Sequence, residues 1–479
     1  MLRRTKIVAT LGPATDELDV LTEMIHAGLD VVRLNASHGT VEDRRRRLGA
    51  ARQAAHRADR CVGVLLDLGG PKIRIECFRD GPIRLAEGQA FTLDTELDPS
   101  AGTSARVGVA YKELPRDVAA GDTLLLADGQ IVLDVERVGA TTIDTRVRVG
   151  GALSDRKGLN RQGGGISAPA ISERDREDIR FAAEEGVDYL AVSFARAAAD
   201  IEQARRLVRA AGGDARIVAK VERHEAVENL AGIIDASDVV MVARGDLGVE
   251  MGYAELTGLQ KTIIHDTRAC NRVVITATQM MESMIQNPVP TRAEVSDVAN
   301  AVMDGTDAVM LSAETATGRY PVKAVEAMAD VIAGAEKYQL THPRARQRSV
   351  EGVFRGTEEA IAMAVMYPAN HMKVRAIVAL TESGATPLWM SRIRSDIPVY
   401  AFTRHEATRR RVTLYRGVYP VIFDVTGSAS VEALYRALFR RLLELRLVEL
   451  NDLVILTKGE LSGVQGGTNS MQILKVVLD

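Results

Sequence analysis

The sequence alternates short apolar runs with longer segments of helical spacing, and this alternation restricts the fold more than any other feature. Strands that alternate with helices pair in parallel, and a continuous apolar run is typical of a strand buried on both faces. Eight runs have this character: Lys6–Leu11, Val31–Leu34, Val62–Leu68, Tyr189–Phe194, Arg216–Val221, Val239–Val242, Val273–Ala277 and Ala308–Leu311. Eight such units predict a closed (β/α)₈ TIM barrel rather than an open sheet.

Two segments depart from this pattern. Residues 72–167 contain short Val-, Thr- and Leu-rich runs separated by glycine-containing turns, which predicts an inserted all-β domain. After a polar linker at Thr341–Arg346, strands and helices alternate again, which predicts a doubly wound α/β domain. Its predicted strands are Ala376–Leu380, Val399–Phe402, Val418–Phe423, Leu453–Leu456 and Ile473–Leu478. We therefore expect a barrel at residues 1–71 and 168–340, the insertion between them, and a C-terminal domain at residues 341–479.

Charge and cysteine content argue against several classes of protein. The formal net charge of −3 indicates neither a nucleic-acid-binding surface nor an acidic tail. The three cysteines lack CxxC spacing and the eight histidines lack zinc-ligand spacing, so we expect reduced thiols and no zinc site. No apolar run reaches the length of a membrane span, and no apolar segment follows the basic start of the chain. We expect a cytoplasmic protein that binds neither nucleic acid nor membrane.

The ends of the fifth and sixth barrel strands carry charged side chains. Lys220 and Glu222 are two residues apart, so they point to the same face of an extended strand. Asp246 follows the next strand in Arg244-Gly245-Asp246, a predicted turn in which glycine lets a ligand approach the backbone. Because barrel strands end at one rim, these groups are expected to converge. Two carboxylates suit Mg²⁺ and an ammonium suits a phosphoryl group or an enolate; surface ion pairs are the alternative.

Polar side chains also follow the second and third strands at the same rim. Arg33 can bind a phosphate or a carboxylate through its planar guanidinium. Asn35, Ser37 and Asp67 offer oxygens that suit a hard cation. A local hydrogen-bond network is the alternative for each of them.

Hydroxyl side chains end the last two barrel strands. Thr278 and Ser312 follow the seventh and eighth strands, where a hydroxyl either reaches the site or caps a helix. Neither a Walker P-loop nor a GxGxxG motif occurs, so side chains and a metal must hold any nucleotide phosphates.

Several long segments resemble pyruvate kinases of the proteobacterial type. They are RRTKIVATLGPA, VVRLNASHGT, VARGDLGVE, ITATQMMESM, NPVPTRAEVSDVANAV and DGTDAVMLSAETATGRYP, and the similarity covers essentially the whole chain. The resemblance implies a barrel, a mobile β lid (residues 72–167), a regulatory C-terminal domain and a homotetramer. It also implies transfer of the phosphoryl group of phosphoenolpyruvate to ADP, giving pyruvate and ATP, with Mg²⁺, for which Mn²⁺ may substitute, as cofactor.

The resemblance assigns roles to the charged residues of the rim. Arg33 would bind the phosphate of phosphoenolpyruvate, and Lys220 would stabilise the transferring phosphoryl group and the enolate oxygen. Glu222 and Asp246 would hold the Mg²⁺ that bridges the substrate oxygens.

It also assigns the substrate carboxylate and the proton. Gly245, Asp246 and Thr278 would line the carboxylate, with the backbone amides of residues 245 and 246 as donors. Thr278 and Ser312 would lie near the carbon of the enolate that must be protonated, and the sequence leaves the proton relay open.

Nucleotide phosphates would be reached by Arg74 and Lys157, the latter from the lid. Two other functions are weighed against this one. Another phosphoenolpyruvate-handling barrel enzyme would need no lid that carries Lys157. A non-catalytic sugar-phosphate sensor predicts the loss of Lys220, Glu222 or Asp246, and all three are present.

A monovalent-cation site is implied as well, but two residues depart from it. The family's potassium site corresponds to Asn35, Ser37, Asp67 and the backbone carbonyl of residue 68, which is Leu68 here rather than the usual threonine. Lys72 stands where potassium-dependent members carry a glutamate. We expect its ammonium to replace the cation, so that K⁺ is not required; a solvated lysine at a domain boundary is the alternative.

The turn Thr381–Thr386 resembles the family's loop for the phosphate of an allosteric effector. The candidate effector-binding residues are Thr381, Ser383, Gly384 and Thr386. Ala385 stands where a basic residue is common, and the facing loop Gly459–Thr468 lacks Lys and Arg. The choice between a sugar monophosphate and a nucleotide monophosphate therefore stays open, and a plain helix cap is the alternative.

Overall fold

Three strands and two helices at the start of the chain form the first part of a barrel. The structure, a computed structural model, describes residues 2–342, 354, 356–426, 430–459 and 467–478. The first elements are β1 (Lys6–Thr10), α1 (Leu18–Ala27), β2 (Val31–Asn35), α2 (Val41–Arg57) and β3 (Gly63–Asp67), with a 3₁₀ turn at Pro13–Thr15. The strands pair in parallel, with Arg33 opposite Leu65 and Asn35 opposite Asp67. Polar residues at their ends therefore lie at one rim.

Two small sheets then interrupt the barrel, as the glycine-punctuated sequence predicts. Their elements are β4 (Ile83–Leu85), β5 (Ala90–Asp94), β6 (Arg106–Gly108), α3 (Leu114–Asp117), β7 (Thr123–Leu126), β8 (Ile131–Val138), β9 (Thr142–Val149), β10 (Gly151–Leu153) and β11 (Leu159–Arg161). Six strands form one sheet in the order β11-β7-β8-β9-β5-β6, and β10 pairs with β4. A separate apolar cluster that includes Phe91, Leu133 and Ile143 lies beneath them. The lid thus has a core of its own.

The barrel resumes after the lid with five more strands. The elements are α4 (Glu173–Glu184), β12 (Tyr189–Val192), α5 (Ala198–Ala210), β13 (Arg216–Val221), α6 (His224–Glu228), α7 (Leu230–Ala236), β14 (Val239–Ala243), α8 (Arg244–Met251), α9 (Tyr253–Ala269), β15 (Val273–Ala277), α10 (Arg292–Asp304), β16 (Ala308–Leu311), α11 (Ala313–Ala316) and α12 (Pro321–Thr341), with a 3₁₀ turn at Glu282–Ile285. The eight parallel strands close in the order β1-β16-β15-β14-β13-β12-β3-β2. The predicted (β/α)₈ barrel is confirmed.

Successive residues of each barrel strand pack on opposite sides of the sheet. Val8 and Met241 belong to the cluster inside the barrel, whereas Ile7 and Val240 belong to the cluster between strands and helices. Both sides are apolar, so the strands read as continuous apolar runs. The side chains that line the barrel fix the strand register and hence the positions of the strand ends.

The C-terminal part of the chain forms a five-stranded sheet with helices. Its elements are α13 (Thr357–His371), β17 (Ala376–Leu380), α14 (Ala385–Ser391), β18 (Val399–Thr403), α15 (Glu406–Arg411), β19 (Val418–Ile422), α16 (Val431–Glu444), β20 (Leu453–Gly459) and β21 (Thr468–Lys475), with a 3₁₀ turn at Val412–Leu414. The order is β19-β18-β17-β20-β21, and β21 alone is antiparallel to its neighbour. The predicted α/β domain is confirmed.

The last strand of the C-terminal sheet differs from its predicted bounds. The last strand was predicted at Ile473–Leu478, but it begins at Thr468 and ends at Lys475. Its first half is polar and forms a hairpin with β20, so an apolar run could not reveal it. Residues 343–346 of the predicted linker lie outside the described residues, and α12 extends as far as Thr341.

The C-terminal domain lies against the N-terminal ends of the barrel strands through residues at the end of α14 and in α15. Arg392 donates through Nη1 to Oδ2 of Asp307 at 2.9 Å, and Arg410 donates through Nε to Oδ1 of Asp188 at 3.0 Å. Asp307 and Asp188 immediately precede β16 and β12. The C-terminal ends of the strands are therefore on the opposite face, where barrel enzymes place their chemistry.

Candidate active site

A charged lysine is buried at the rim, at the end of β13. The Nζ atom of Lys220 lies 2.8 Å from Oε1 of Glu222, 3.3 Å from Oδ1 of Asp67 and 2.7 Å from Oγ of Ser193. Burial alone would lower the pKa of Lys220, but the carboxylates of Asp67 and Glu222 outweigh it and raise the pKa above its ordinary value. The ammonium therefore stays protonated in a site that is largely shielded from water.

Glu222 and Asp246 form the pair of carboxylates that the sequence predicts at this rim. Burial raises the pKa of Glu222, and the nearby carboxylate of Asp246 adds to that rise although Lys220 opposes it. A divalent cation would relieve this repulsion, and carboxylate oxygens are its preferred ligands. Across the described ranges no group of three or more His, Cys, Asp or Glu is arranged as a metal site, so water or bound substrate would complete the coordination of a cation held by these two carboxylates.

Lys72 reaches the second of these carboxylates. Its Nζ lies 2.9 Å from Oδ1 of Asp246 and 4.0 Å from Oδ1 of Asp128, which belongs to the lid. The sequence led us to expect this ammonium in the monovalent-cation pocket. In the structure the ammonium instead pairs with Asp246, the proposed Mg²⁺ ligand.

The carboxylate of the predicted monovalent-cation pocket is already neutralised by the protein. Arg33 approaches Oδ2 of Asp67 through Nε at 2.8 Å and through Nη2 at 2.6 Å, while Lys220 approaches the other oxygen. Burial would raise the pKa of Asp67, but Lys220 and Arg33 hold it below its usual value. Asp67 is thus an ionised anchor for two cations.

Two other predicted oxygens of that pocket, those of Asn35 and Leu68, also accept hydrogen bonds from the protein. The Oδ1 atom of Asn35 accepts from the backbone amide of Ser37 at 3.0 Å. The backbone carbonyl of Leu68 accepts from Oγ of Ser193 at 2.8 Å. All four predicted positions lie together at the ends of β2 and β3.

The segment Arg244-Gly245-Asp246 is the first turn of helix α8, not the isolated turn that the sequence predicts. Amides in the first turn of a helix lack partners within the helix, so they can donate to a ligand. The amide of Gly245 donates to Oγ1 of Thr278 at 2.8 Å. The structure therefore brings together the three residues expected at the substrate carboxylate.

Thr278 has an unusual backbone conformation. Its φ is 65° and that of Gln279 is 53°, in the left-handed region that a β-branched residue rarely adopts. Arg244 stabilises both by donating to the carbonyl of Thr278 at 2.8 Å and to that of Gln279 at 3.1 Å. Strain of this kind persists where neighbouring contacts over-determine it, most often at functional sites.

Ser312 follows β16, beside the strand that ends before Thr278. Its amide donates to Oε2 of Glu314 at 2.7 Å, and Oε1 of Glu314 accepts from the amide of Met281 at 3.1 Å. Glu314 is buried, and its two hydrogen bonds connect the loops after β15 and β16. Glu314 is not among the residues predicted from the sequence.

Arg74 and Lys157 lie on neighbouring antiparallel segments of the lid. Arg74 bridges to Gly158, and its Nη1 donates to the backbone carbonyl of Arg156 at 2.9 Å. Lys157 is exposed. The two predicted nucleotide-binding cations therefore come from one edge of the lid.

Positive charge is concentrated at the mouth of the barrel. Burial lowers the pKa of His38, and Arg74, Arg33, Arg174 and Lys72 lower it further. A histidine surrounded by cations stays neutral, so it adds no charge of its own. The mouth is suited to a polyanion such as a phosphorylated substrate together with a nucleotide.

Comparison with known proteins decides among the candidate functions. Residues 2–325 match the family model described as "Pyruvate kinase, barrel domain", and residues 359–474 match "Pyruvate kinase, alpha/beta domain". Pyruvate kinase II of Salmonella typhimurium is 53% identical over 479 residues, covering 99% of each chain. The chain belongs to the pyruvate kinase family. The pyruvate kinase of Haemophilus influenzae is 52% identical over 96% of each chain, and that of Mycobacterium tuberculosis is 39% identical over 99% of each chain.

Membership in the pyruvate kinase family makes this chain a phosphotransferase. The substrates of that family are phosphoenolpyruvate and ADP, and the family uses a divalent metal. Within the residues that the structure describes, no helix is long and apolar enough to cross a membrane.

Two hydroxyl residues of this pyruvate kinase site were missed by sequence reasoning. Ser193 lies at the end of β12 and could have been found by the strand-end rule that selected Thr278. Thr10 ends β1 inside an apolar run, where nothing marks it. Its Oγ1 accepts from Nη1 of Arg33 at 2.9 Å and donates to the carbonyl of Leu311 at 2.9 Å.

The predicted effector turn lies between β17 and α14 of the pyruvate kinase α/β domain. Its amide at Gly384, where φ is 85°, donates to Oγ1 of Thr381 at 2.9 Å, and Thr386 hydrogen-bonds Thr468 at 2.6 Å. Ser383 is half-buried between them. Residues 460–466 of the facing loop lie outside the described residues.

Proposed function

We propose that this rim transfers the phosphoryl group of phosphoenolpyruvate to ADP, giving pyruvate and ATP. The observation that carries this proposal is the protonated ammonium of Lys220, buried between Asp67 and Glu222. Phosphoryl transfer needs position and positive charge more than covalent help. A charged lysine in a shielded site stabilises both the transferring group and the enolate oxygen that it leaves.

Arg33 is proposed to bind the phosphate of phosphoenolpyruvate. Its ion pair with Asp67 and its bond to Thr10 hold the guanidinium rigidly beside Lys220, so little entropy is lost when the phosphate binds. Gly245, Asp246 and Thr278 are proposed to line the substrate carboxylate, with the backbone amides of residues 245 and 246 as donors; the bond from the amide of Gly245 to Oγ1 of Thr278 holds these residues together.

Glu222 and Asp246 are proposed to hold Mg²⁺, for which Mn²⁺ may substitute. When bound, the cation supplies positive charge to the substrate oxygens. Two carboxylates that repel each other in a buried site support this assignment. Glu222 is fixed in place by the amide of Phe194, which donates to Oε2 at 2.8 Å.

Thr278 and Ser312 are proposed to lie on the path of the proton to the enolate carbon. The Oγ1 atom of Thr278 donates to the carbonyl of Ala277 at 2.7 Å and can turn that proton toward substrate. Arg74 and Lys157 are proposed to bind the nucleotide phosphates from the lid edge, where Arg74 adds to the positive charge of the mouth and Lys157 is exposed.

K⁺ is proposed not to be required. The carboxylate of Asp67 is balanced by Arg33 and Lys220, the carbonyl of Leu68 accepts from Ser193, and Oδ1 of Asn35 accepts from the amide of Ser37, so three of the four positions of the family's potassium site have partners. Lys72 adds a tethered unit charge at the same rim, where it pairs with Asp246. A second monovalent cation in this region would be repelled, since two unit charges at about 4 Å cost several kcal/mol at an effective dielectric near 20.

A phosphorylated effector bound at Thr381–Thr386 is proposed to regulate a cytoplasmic homotetramer. The turn offers hydroxyls at Thr381, Ser383 and Thr386. Strand β21 is at the edge of the C-terminal sheet and exposes Ile473, as expected of an edge that another chain covers. Native mass spectrometry tests the tetramer, and activity with a panel of sugar and nucleotide monophosphates tests the effector.

The proposed reaction is tested by coupling pyruvate formation to lactate dehydrogenase. We expect NADH oxidation that requires phosphoenolpyruvate, ADP and Mg²⁺ together. A barrel enzyme that cleaves or forms a carbon–carbon bond would act on phosphoenolpyruvate without ADP. A non-catalytic sensor would give no NADH oxidation under any combination, and either result would refute the assignment.

A further inference from the structure

Each of the two proposed metal ligands carries a lysine in this structure. The Nζ atom of Lys220 is 2.8 Å from Oε1 of Glu222, and the Nζ atom of Lys72 is 2.9 Å from Oδ1 of Asp246. The two lysines differ in how firmly they are held. Lys220 is buried and has three close partners, whereas the side chain of Lys72 is 27% exposed and that of Asp246 is 20% exposed. Lys72 is therefore the lysine that can leave its carboxylate.

The bond between Lys72 and Asp246 uses the oxygen that a metal would need. Mg²⁺ coordinates carboxylate oxygen at about 2.0–2.1 Å. An ammonium 2.9 Å from the same oxygen would be repelled by a dication bound to that carboxylate. Lys72, whose other carboxylate partner is 4.0 Å away, therefore competes with Mg²⁺ for Asp246, whereas Asp67 and Ser193 hold Lys220 in place beside Glu222.

The same side chain also contacts the lid. The Cε atom of Lys72 lies beside the Cα of Gly158, where a side chain at that position would meet it, and its Nζ lies 4.0 Å from Oδ1 of Asp128. Gly158 follows Lys157, the lid residue proposed to bind nucleotide phosphate. One side chain thus links a carboxylate of the barrel to the lid edge that serves the nucleotide.

We propose that Lys72 is a latch that occupies Asp246 in the metal-free enzyme and is displaced when a divalent cation binds. This inference rests on the proposed role of Asp246 as a metal ligand. The latch keeps Asp246 neutralised and the lid edge close to it until the metal arrives. Displacement then frees the ammonium for the anionic substrates at the mouth, so metal loading and nucleotide binding are coupled through one residue.

Direct metal binding tests the latch without any substrate. Mn²⁺ is titrated into the wild-type enzyme and the Lys72→Met variant, and free Mn²⁺ is followed by electron paramagnetic resonance. We expect Lys72→Met to bind Mn²⁺ at least about threefold more tightly, the change that loss of one partly exposed ion pair allows. Lys261→Met is the matched control, because it removes a lysine that pairs with Asp304 outside the site. Unchanged or weaker binding by Lys72→Met overturns the proposal.

Lysine acylation read by mass spectrometry gives a second measurement. In the wild type, Mg²⁺ should raise the acylation of Lys72 at least about twofold relative to Lys261, because the ammonium leaves its carboxylate. Asp246→Asn should show the raised level without metal and no further response to Mg²⁺. Labelling of Lys72 that ignores both Mg²⁺ and Asp246→Asn overturns the latch even if Lys72→Met fails to fold.

The two proposals fail in distinguishable ways. Wild-type enzyme that binds no Mn²⁺ would overturn both the metal site and the latch. Equal Mn²⁺ binding by the wild type and Lys72→Met would overturn the latch and leave the metal site standing. Activity of Lys72→Met does not enter this test, since it bears on the proposed independence from K⁺.

Discussion

Lys220 and Glu222 form a buried ion pair, with Nζ 2.8 Å from Oε1. The cation proposed to stabilise the transferring phosphoryl group is therefore bound to a carboxylate proposed to hold the metal. Removing either partner leaves the other charge buried without an opposite charge beside it. This costs far more stability than the loss of a surface ion pair. Chemistry and metal binding at this rim are linked through two neighbouring strand-end residues.

Lys220→Met should abolish phosphoryl transfer while the fold remains. Removing one preorganised charge from a shielded site typically costs on the order of a hundredfold to a thousandfold in kcat. The measurement is kcat in the coupled assay, with Lys261→Met as a control that removes a lysine outside the site. A kcat within tenfold of the wild type would show that Lys220 does not have this role.

Asp246→Asn should raise the Mg²⁺ concentration needed for half-maximal activity by roughly tenfold or more, because one of two protein carboxylates is lost. Activity measured across a Mg²⁺ series checks this. Asp235→Asn serves as the control, since Asp235 is an exposed residue of α7. An unchanged Mg²⁺ dependence would exclude Asp246 as a ligand.

The enzyme should be active without potassium. Activity is measured in sodium- and potassium-free buffer at constant ionic strength, set with tetramethylammonium salts, with and without added KCl. Lys72→Glu removes the tethered charge and should create a potassium requirement. Stimulation of the wild type by more than about tenfold on adding KCl would contradict the prediction.

Ser383→Asp should make phosphorylated activators ineffective. The new carboxylate would lie in the turn proposed to receive a phosphate, and the coupling that is lost is typically 1–3 kcal/mol. Activation curves for the effector panel are compared between wild type and variant, with basal activity measured alongside. Equal activation of both proteins would move the effector site elsewhere.

Titration of Glu250 should lower the free energy of unfolding as pH rises from about 4.5 to 7. Burial raises the pKa of Glu250 to about 7, so between these pH values the folded chain holds a proton that the unfolded chain has lost. Its favourable contribution is complete below pH 4.5 and is lost as pH passes 7. The total is at most about 3 kcal/mol, from 1.36 kcal/mol per pKa unit.

The measurement for Glu250 is the difference in Tm between the wild type and Glu250→Gln at several pH values. Taking the difference removes contributions from all other titrating groups. The Tm of Glu250→Gln should rise relative to the Tm of the wild type between pH 5 and pH 8. A difference in Tm that does not change with pH would mean that Glu250 titrates normally.

The parts of the site that could be predicted from the sequence are those set by strand ends. Lys220, Glu222 and Asp67 end parallel strands of one barrel, so topology alone brings them together. Ser193 also follows a barrel strand, β12, so its place at the rim was equally predictable from the sequence. The position of strand ends could not reveal the first turn of α8, because Arg244-Gly245-Asp246 has the composition of a loop.

The position of Lys72 could not be predicted, for a different reason. Lys72 lies beyond the end of β3, where the chain passes into the lid. Its direction depends on where Asp128 and Gly158 of the lid lie, and no local pattern encodes that arrangement. The domain bounds at residues 72 and 167 remain predictions for the same part of the chain.

The pairing of β1 with β16 has a consequence for how the protein is made on the ribosome. Lys6 faces Ala308, so the first strand waits for nearly the whole barrel to be translated before its second neighbour exists. At about 5–20 residues per second this wait lasts on the order of ten seconds or more. During that time β1 presents an unpaired apolar edge, while the lid, which has its own core, can already fold. Until β16 is translated, that open edge is the place on the nascent barrel where another strand could pair wrongly.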